Sequence, residues 1–215
     1  MTAPWRLAAR PLPAPAAAGD PGWRPLGLGG ARDGLLHVPA GEGPVPLVVL
    51  LHGAGSSAAS VTPLLEDAGV AVLAPDSRGA TWDLIRGGFG PDVTFIDLAL
   101  AAAFAAAPVD PARLALAGFS DGASYALSVG LGNGDLFSHL LAFSPGFAAP
   151  EGQVGRPPVY VSHGVADPVL PIERCSRPLV ARLRGAGYEV TYEEFDGGHV
   201  VPPHAVQAAL GLLCA

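Results

Sequence analysis

The sequence predicts an α/β protein, built on a mostly parallel central sheet flanked by helices. Three observations carry this. Residues 47–51 are an unbroken aliphatic run, as a strand buried on both faces of a parallel sheet requires. Apolar runs of strand length alternate with helix-like stretches along the 215 residues, the order that builds parallel sheets. Residues 114–127 read LALAGFSDGASYAL, an apolar run that stops at Gly118 and a small-residue helical stretch that opens at Gly122.

The elements follow in order. Residues 5–10 read as a short edge strand within a Pro-, Ala- and Gly-rich segment, 1–30, ahead of a single domain at 31–215. Residues 11–30 read as loop. A strand over 33–38 ends at Pro39-Ala40-Gly41, and the strand at 47–51 leads through a helix over 58–67 to a strand at 70–73. Residues 77–90 form a loop holding Trp82 and Phe89. A helix over 93–107 stops at Pro108, which has no N–H to continue it. Asp110-Pro111 turns into the strand before Gly118, and a helix covers 123–130. Strands at 140–143 and 159–164 follow, then a helix starting near Ile172, a strand over 188–195 and a last helix over 204–213. The longest unassigned stretches after residue 40 are 77–90 and 145–158, too short for a cap domain.

Composition narrows the function classes. The net charge is −7, with no basic stripe to neutralise phosphates, which argues against nucleic acid or an anionic membrane as partner. All 12 basic residues are arginine, which excludes a Ser-Lys dyad, a Schiff base and a phosphate-loop lysine. No segment is long and apolar enough to span a bilayer. The first thirty residues lack the apolar core of a secretory signal, so a cytoplasmic location is the default expectation. Cys175 and Cys214 have no metal-like or redox spacing and read as two idle thiols. Neither a metal nor an organic cofactor is implied, and nothing in the sequence fixes the oligomeric state.

Gly118, Ser120 and Gly122 have the Gly-x-Ser-x-Gly spacing of a nucleophile elbow in strand-turn-helix context. A β-carbon at either glycine would collide with neighbouring backbone, and the strained apex pushes the serine hydroxyl out past the sheet's end. A serine hydroxyl needs a general base, and the base needs an acid to orient it. Asp167 falls just past the strand at 159–164 and His199 just past the strand at 188–195, giving the chain order serine, acid, histidine. Asp135 and Glu151 are the fallback acids. All three residues then lie at one edge of a parallel sheet, where such sheets bind ligands. Acyl transfer also needs two N–H groups on one oxyanion. Asp121 supplies one, and the loop His52-Gly53-Ala54-Gly55 the other, with Ala54 preferred and Gly53 its neighbour.

Other residues carry weaker expectations. His52 and His163, each before a glycine at a strand end, read as structural. His204 lies too far past His199 to be the base, and Asp196 braces its own turn. The Asp121 carboxylate must point away from a developing oxyanion. Asp97 reads as helix surface or an internal brace. Trp82 lines the acyl or alcohol pocket or packs in the core, and Leu170 and Val200 are further candidate apolar walls for substrate.

The motifs LLHGAG (50–55), APDSRG (74–79), PDVTFID (91–97), AGFSDGAS (117–124), VSHGVADPVLP (161–171) and DGGHVVP (196–202) occur in this order. Together they resemble the α/β-hydrolase-fold serine esterases of the small, lidless phospholipase/carboxylesterase group, which includes acyl-protein thioesterases. The chain is also similar to polyhydroxybutyrate-depolymerase-like and feruloyl-esterase-like proteins, which the PDVTFID stretch favours. Thioesterase-like members usually continue the serine with Gln-Gly-Gly, and here Asp121-Gly122-Ala123 stands instead. The resemblance implies a carboxylesterase acting on short-chain acyl or small aryl esters. A thioesterase or lysophospholipase-type hydrolase is the nearest alternative. A catalytically silent, ligand-binding homologue is the reading from another class, which the intact Ser-Asp-His order opposes.

Overall fold

A computed structural model describes residues 3–11, 20–66 and 68–215. Its strands are β1 (Gly22–Pro25), β2 (Gly34–Val38), β3 (Val45–Leu51), β4 (Ala71–Pro75), β5 (Val109–Phe119), β6 (His139–Phe143), β7 (Val159–Gly164) and β8 (Val190–Phe195). They form one sheet in the order β1-β2-β4-β3-β5-β6-β7-β8. β1 and β2 pair antiparallel, as do β2 and β4, and every pair from β4 to β8 is parallel.

The helices are α1 (Ala58–Val61), α2 (Asp83–Arg86), α3 (Pro91–Ala106), α4 (Asp121–Gly132), α5 (Ser176–Gly185) and α6 (Pro203–Leu213). Alternation along the strands splits the core into two layers, because successive side chains leave opposite faces of a sheet. Leu47, Val49 and Leu51 share a core with α3, α4 and α5, while Val48 and Leu50 share one with α1 and α6. In α3, Val93, Ile96, Leu100 and Phe104 recur at three- and four-residue steps and are buried. Its proline at the first turn needs no hydrogen-bonded N–H there. Every residue of α4 after Asp121 is buried.

The chain has the α/β-hydrolase architecture the sequence predicts, with no cap domain among the described residues: residues 144–158, between β6 and β7, carry no helix or strand. Four expectations need correction. The sheet's edge strand is β1, inside the predicted loop, and residues 5–10 stay outside the sheet. Those residues bond to side chains instead: the Leu7 N–H donates to Asn133 Oδ1 (2.9 Å), and the Ala8 and Ala9 N–H groups donate to Asp97 Oδ1 (2.7 and 2.8 Å). The helix expected over 58–67 is the single turn α1 followed by a 3-10 turn at Thr62–Leu65, where Pro63 lacks an N–H for a longer α-helix; Asp67 lies outside the described residues. The loop at 77–90 contains α2, and α5 starts at Ser176 after tight turns over 172–175. Among the described residues no helix is long and apolar enough to cross a membrane.

Asn133 is fully buried and also donates to Trp5 O and Val129 O, so it ties the N-terminal segment to the end of α4. Asn133→Ala strands the buried Leu7 N–H and should destabilise the protein by about 1–3 kcal/mol. Arg10→Ala, which removes an exposed ion pair with Asp135, should cost at most about 1 kcal/mol. Urea unfolding of both variants checks the difference.

Candidate active site

β5 delivers Ser120 and α4 begins at the next residue. Ser120 has φ 59° and ψ −121°, a left-handed conformation rare for a non-glycine residue. The two flanking glycines are required sterically. A β-carbon on Gly118 would overlap the Gly122 carbonyl, and one on Gly122 would overlap the Leu51 carbonyl at the end of β3. The turn is held by the Ser120 N–H donating to Phe143 O (2.9 Å) and by the Ala123 and Ser124 N–H groups donating to Ser120 O.

Asp167 and His199 come from the loops after β7 and β8. Those loops are laced together: the Val165 N–H donates to Phe195 O (2.9 Å) and the Ala166 N–H to Gly197 O (3.0 Å). His199 Nδ1 lies 2.6 Å from Asp167 Oδ2, and His199 Nε2 lies 2.9 Å from Ser120 Oγ. A carboxylate only accepts, so Nδ1 carries the proton and Nε2 is free to accept from the serine hydroxyl. The Asp167 side chain is wholly buried, and its Oδ1 accepts the N–H groups of Val169 and Leu170 at 2.8 Å each. Burial pushes the Asp167 carboxyl up. The Leu170 N–H, His199 and the Val169 N–H outweigh it and hold the group below its usual range, hence ionised.

The loop after β3 supplies unpaired N–H groups. The Trp82 indole N–H donates to His52 O (2.9 Å), His52 Nδ1 to Gly53 O (2.7 Å), the Gly55 N–H to Ala80 O (2.7 Å) and Arg32 Nη2 to Ser56 O (2.8 Å). These contacts draw the carbonyls into the protein. Among the described residues the N–H groups of Gly53, Ala54 and Asp121 have no protein acceptor. Both the Ala54 and Gly53 options for the second oxyanion donor therefore stand. The Asp121 carboxylate points away, accepting from Thr81 Oγ1 (2.7 Å).

Ser120 and His199 open into a cleft of about 570 Å³ whose apolar walls include Val61, Leu64, Phe119, Val169, Val200 and Val201. Among the described residues, no acidic or basic side chain other than His199 lines it. Val200 lines the cleft. Trp82 does not: it is fully buried, stacks on Tyr125 at 5.1 Å and is spent on the His52 carbonyl, so it braces the loop from behind. Leu170 serves Asp167 through its backbone, and its neighbour Val169 lines the cleft instead. Val61 and Leu64, three residues apart, escape sequence reading because a helical spacing alone does not say which core or cleft a face meets.

The remaining residues sort by their partners. His52 Nε2 accepts from the Ser77 N–H (3.0 Å), and burial lowers its proton affinity. His204 pairs with Glu193 on the surface. Asp135 is engaged by Arg6 and Arg10, and the Arg6 hydrogen bond brings its carboxyl down to about 2. Neither cysteine is bonded: Cys175 is buried and Cys214 exposed. No cluster of metal-ligating side chains occurs among the described residues.

No protein-family model matches the sequence. Acyl-protein thioesterase 1 of Gibberella zeae is 35% identical over 103 residues, a match spanning 43% of this chain and 43% of that protein. Among solved structures, esterase PE8 is 25% identical with a TM-score of 0.70, covering 85% of this chain and 98% of that one. The Bacillus cereus carboxylesterase (21% identical, TM-score 0.61) covers 79% of this chain and 88% of its own. A phospholipase/carboxylesterase from Dyadobacter fermentans (19%, TM-score 0.62) covers 92% and 98%. By fold, the chain stands with the α/β-hydrolase esterases and carboxylesterases.

The elbow itself is testable. Gly122→Ala forces a β-carbon into the Leu51 and His52 carbonyls, which are backbone and cannot swing aside. It should destabilise the protein by on the order of 3 kcal/mol. A urea midpoint equal to that of the parent protein would show that the turn has slack.

Proposed function

We propose that the chain is a serine hydrolase of carboxylic esters with Ser120 as nucleophile, His199 as general base and acid, and Asp167 as orienting acid. The observation that carries this is the continuous contact from Asp167 through His199 to Ser120, at 2.6 and 2.9 Å, beside unpaired N–H groups. Ser120 Oγ attacks the ester carbonyl while His199 Nε2 takes its proton. The resulting oxyanion is received by the N–H groups of Asp121 and Ala54. His199 then protonates the departing alcohol, leaving an acyl group on Ser120. Water repeats the steps to release the acid.

The likeness to esterase PE8 supports ester cleavage, and the partial match to a thioesterase makes thioesters the second reading. Either way the cleft favours an uncharged acyl group. Labelling by a fluorophosphonate probe separates a hydrolase from a silent homologue, since labelling requires an activated Ser120. Ser120→Ala should abolish labelling and turnover without unfolding the protein. Asp167→Asn imposes the wrong imidazole tautomer and should lower turnover by about 10⁴-fold. If Glu151→Gln were the more damaging change, the acid would be misassigned.

Chain-length preference follows from the open cleft. A buried methylene contributes about 0.8 kcal/mol, and one left in water contributes nothing to kcat/KM. With no cap over the valine rim among the described residues, specificity should peak between acetyl and roughly hexanoyl esters. Val200→Ser should lower kcat/KM for hexanoyl more than for acetyl p-nitrophenyl esters, whereas Trp82, behind the loop, should not set chain length. A rate rising steadily through palmitoyl esters would refute the short-chain reading.

A further inference from the structure

The Asp167 carboxylate lies between two imidazoles. Oδ2 faces His199 Nδ1 at 2.6 Å and, on its other side, His163 Nε2 at 3.2 Å. The His163 ring is fully buried, so all its polar contacts are with protein. Nε2 also lies 2.8 Å from Leu170 O, and Nδ1 contacts Ser176 Oγ at 2.5 Å. The neighbours of Nε2 are a carboxylate and a carbonyl, which only accept. Nε2 therefore carries the proton, which is directed to Leu170 O with Asp167 Oδ2 a longer electrostatic contact beside it, and Nδ1 accepts from the Ser176 hydroxyl. This closes a loop. Leu170 gives its N–H to Asp167 Oδ1 and its carbonyl to His163, so the ring grips the turn that grips the acid.

We propose that His163 is a positioning residue that acts through Asp167, fixing the carboxylate so that Oδ2 presents to His199, with Ser176 anchoring the ring at Nδ1. The proposal rests on the ester-hydrolase reading for its kinetic consequence alone. His163 touches neither Ser120 nor the cleft lining. The ionisable groups around it are Asp167 and His199 on the loops, Glu194 on β8, and Cys175 ahead of α5 beside Asp167. Burial lowers the proton affinity of His163, against the pull of the Leu170 carbonyl and Asp167, which keeps the ring a neutral donor.

The test compares His163→Leu, which keeps bulk but no donor, with His163→Gln, whose amide can donate near Nε2. The leucine variant should lose about 10- to 100-fold in kcat on p-nitrophenyl acetate with KM little changed, the size of one hydrogen bond to a charged group. The glutamine variant should recover most of it. In the free protein, the far-downfield proton resonance of His199 Nδ1 against Asp167 should broaden away in His163→Leu and persist in His163→Gln. Because that readout needs no turnover, an inactive parent protein with this resonance pattern would defeat the hydrolase reading and leave His163 in its role. If the leucine variant does not fold, Ser176→Ala carries the test: a ring no longer anchored at Nδ1 should weaken the same resonance. An unchanged resonance in His163→Leu, or a glutamine variant as impaired as leucine, would overturn the proposal.

Discussion

Between β5 and α4 the chain reverses in a turn with no room for a side chain on either flank, and the rest of the site is arranged around that turn. Gly122 sits against the carbonyls of Leu51 and His52, so α4 starts directly over the end of β3. One close approach therefore sets two things: where Ser120 points and how near the β3 loop comes to it. Holding a non-glycine residue at φ 59° costs about 1–3 kcal/mol. The Phe143 carbonyl, the first bonds of α4 and the burial of nearly all of that helix offset it. Strain at the serine is sustained by the most deeply packed helix in the protein.

The acid faces a different constraint. A carboxylate with no exposure is unfavourable by several kcal/mol unless each oxygen is well bonded. Asp167 meets that condition with two N–H groups on Oδ1, a hydrogen bond from His199 on Oδ2 and the His163 ring at 3.2 Å from the same oxygen. A carboxylate bonded this way stays ionised and has little freedom to rotate. Those are the two properties an imidazole partner needs if it is to keep one tautomer and one orientation. The lacing of the β7 and β8 loops then holds histidine and acid as one unit against the elbow.

Much of this was legible in the sequence because it depends on local spacing. The aliphatic run at 47–51, the flanking glycines and the loops after the last two strands each leave a signature within a few residues. What stayed hidden depends on distant partners. Residues 5–10 look like a strand because they are extended, yet their N–H groups are claimed by Asn133 and Asp97, about ninety to a hundred and thirty residues away. β1 is missed because its four residues, Gly22–Pro25, include a glycine and a proline and show no alternation. Trp82 reads equally as a pocket wall or as core, and only the position of the His52 carbonyl decides it. His163 was recognisable as structural, but the object it supports is visible only when β7 and its loop are folded.

The loop after β3 shows how a candidate site can be formed by elimination. Residues 52–56 offer several carbonyls and several N–H groups, and a turn so short cannot pair them with one another. Trp82, His52 itself and Arg32 take the carbonyls of residues 52, 53 and 56 on the protein side. Asp76 accepts the Ala58 N–H where α1 begins, which fixes the loop's far end. With the acceptors turned inward, the N–H groups of Gly53 and Ala54 are left without partners next to Ser120. A buried donor without a partner costs about 1–3 kcal/mol, which concerns Gly53, since Ala54 is exposed and its N–H can meet water. The contacts that stabilise the fold thus leave free N–H groups beside Ser120, which is what the proposed ester hydrolysis asks of this loop.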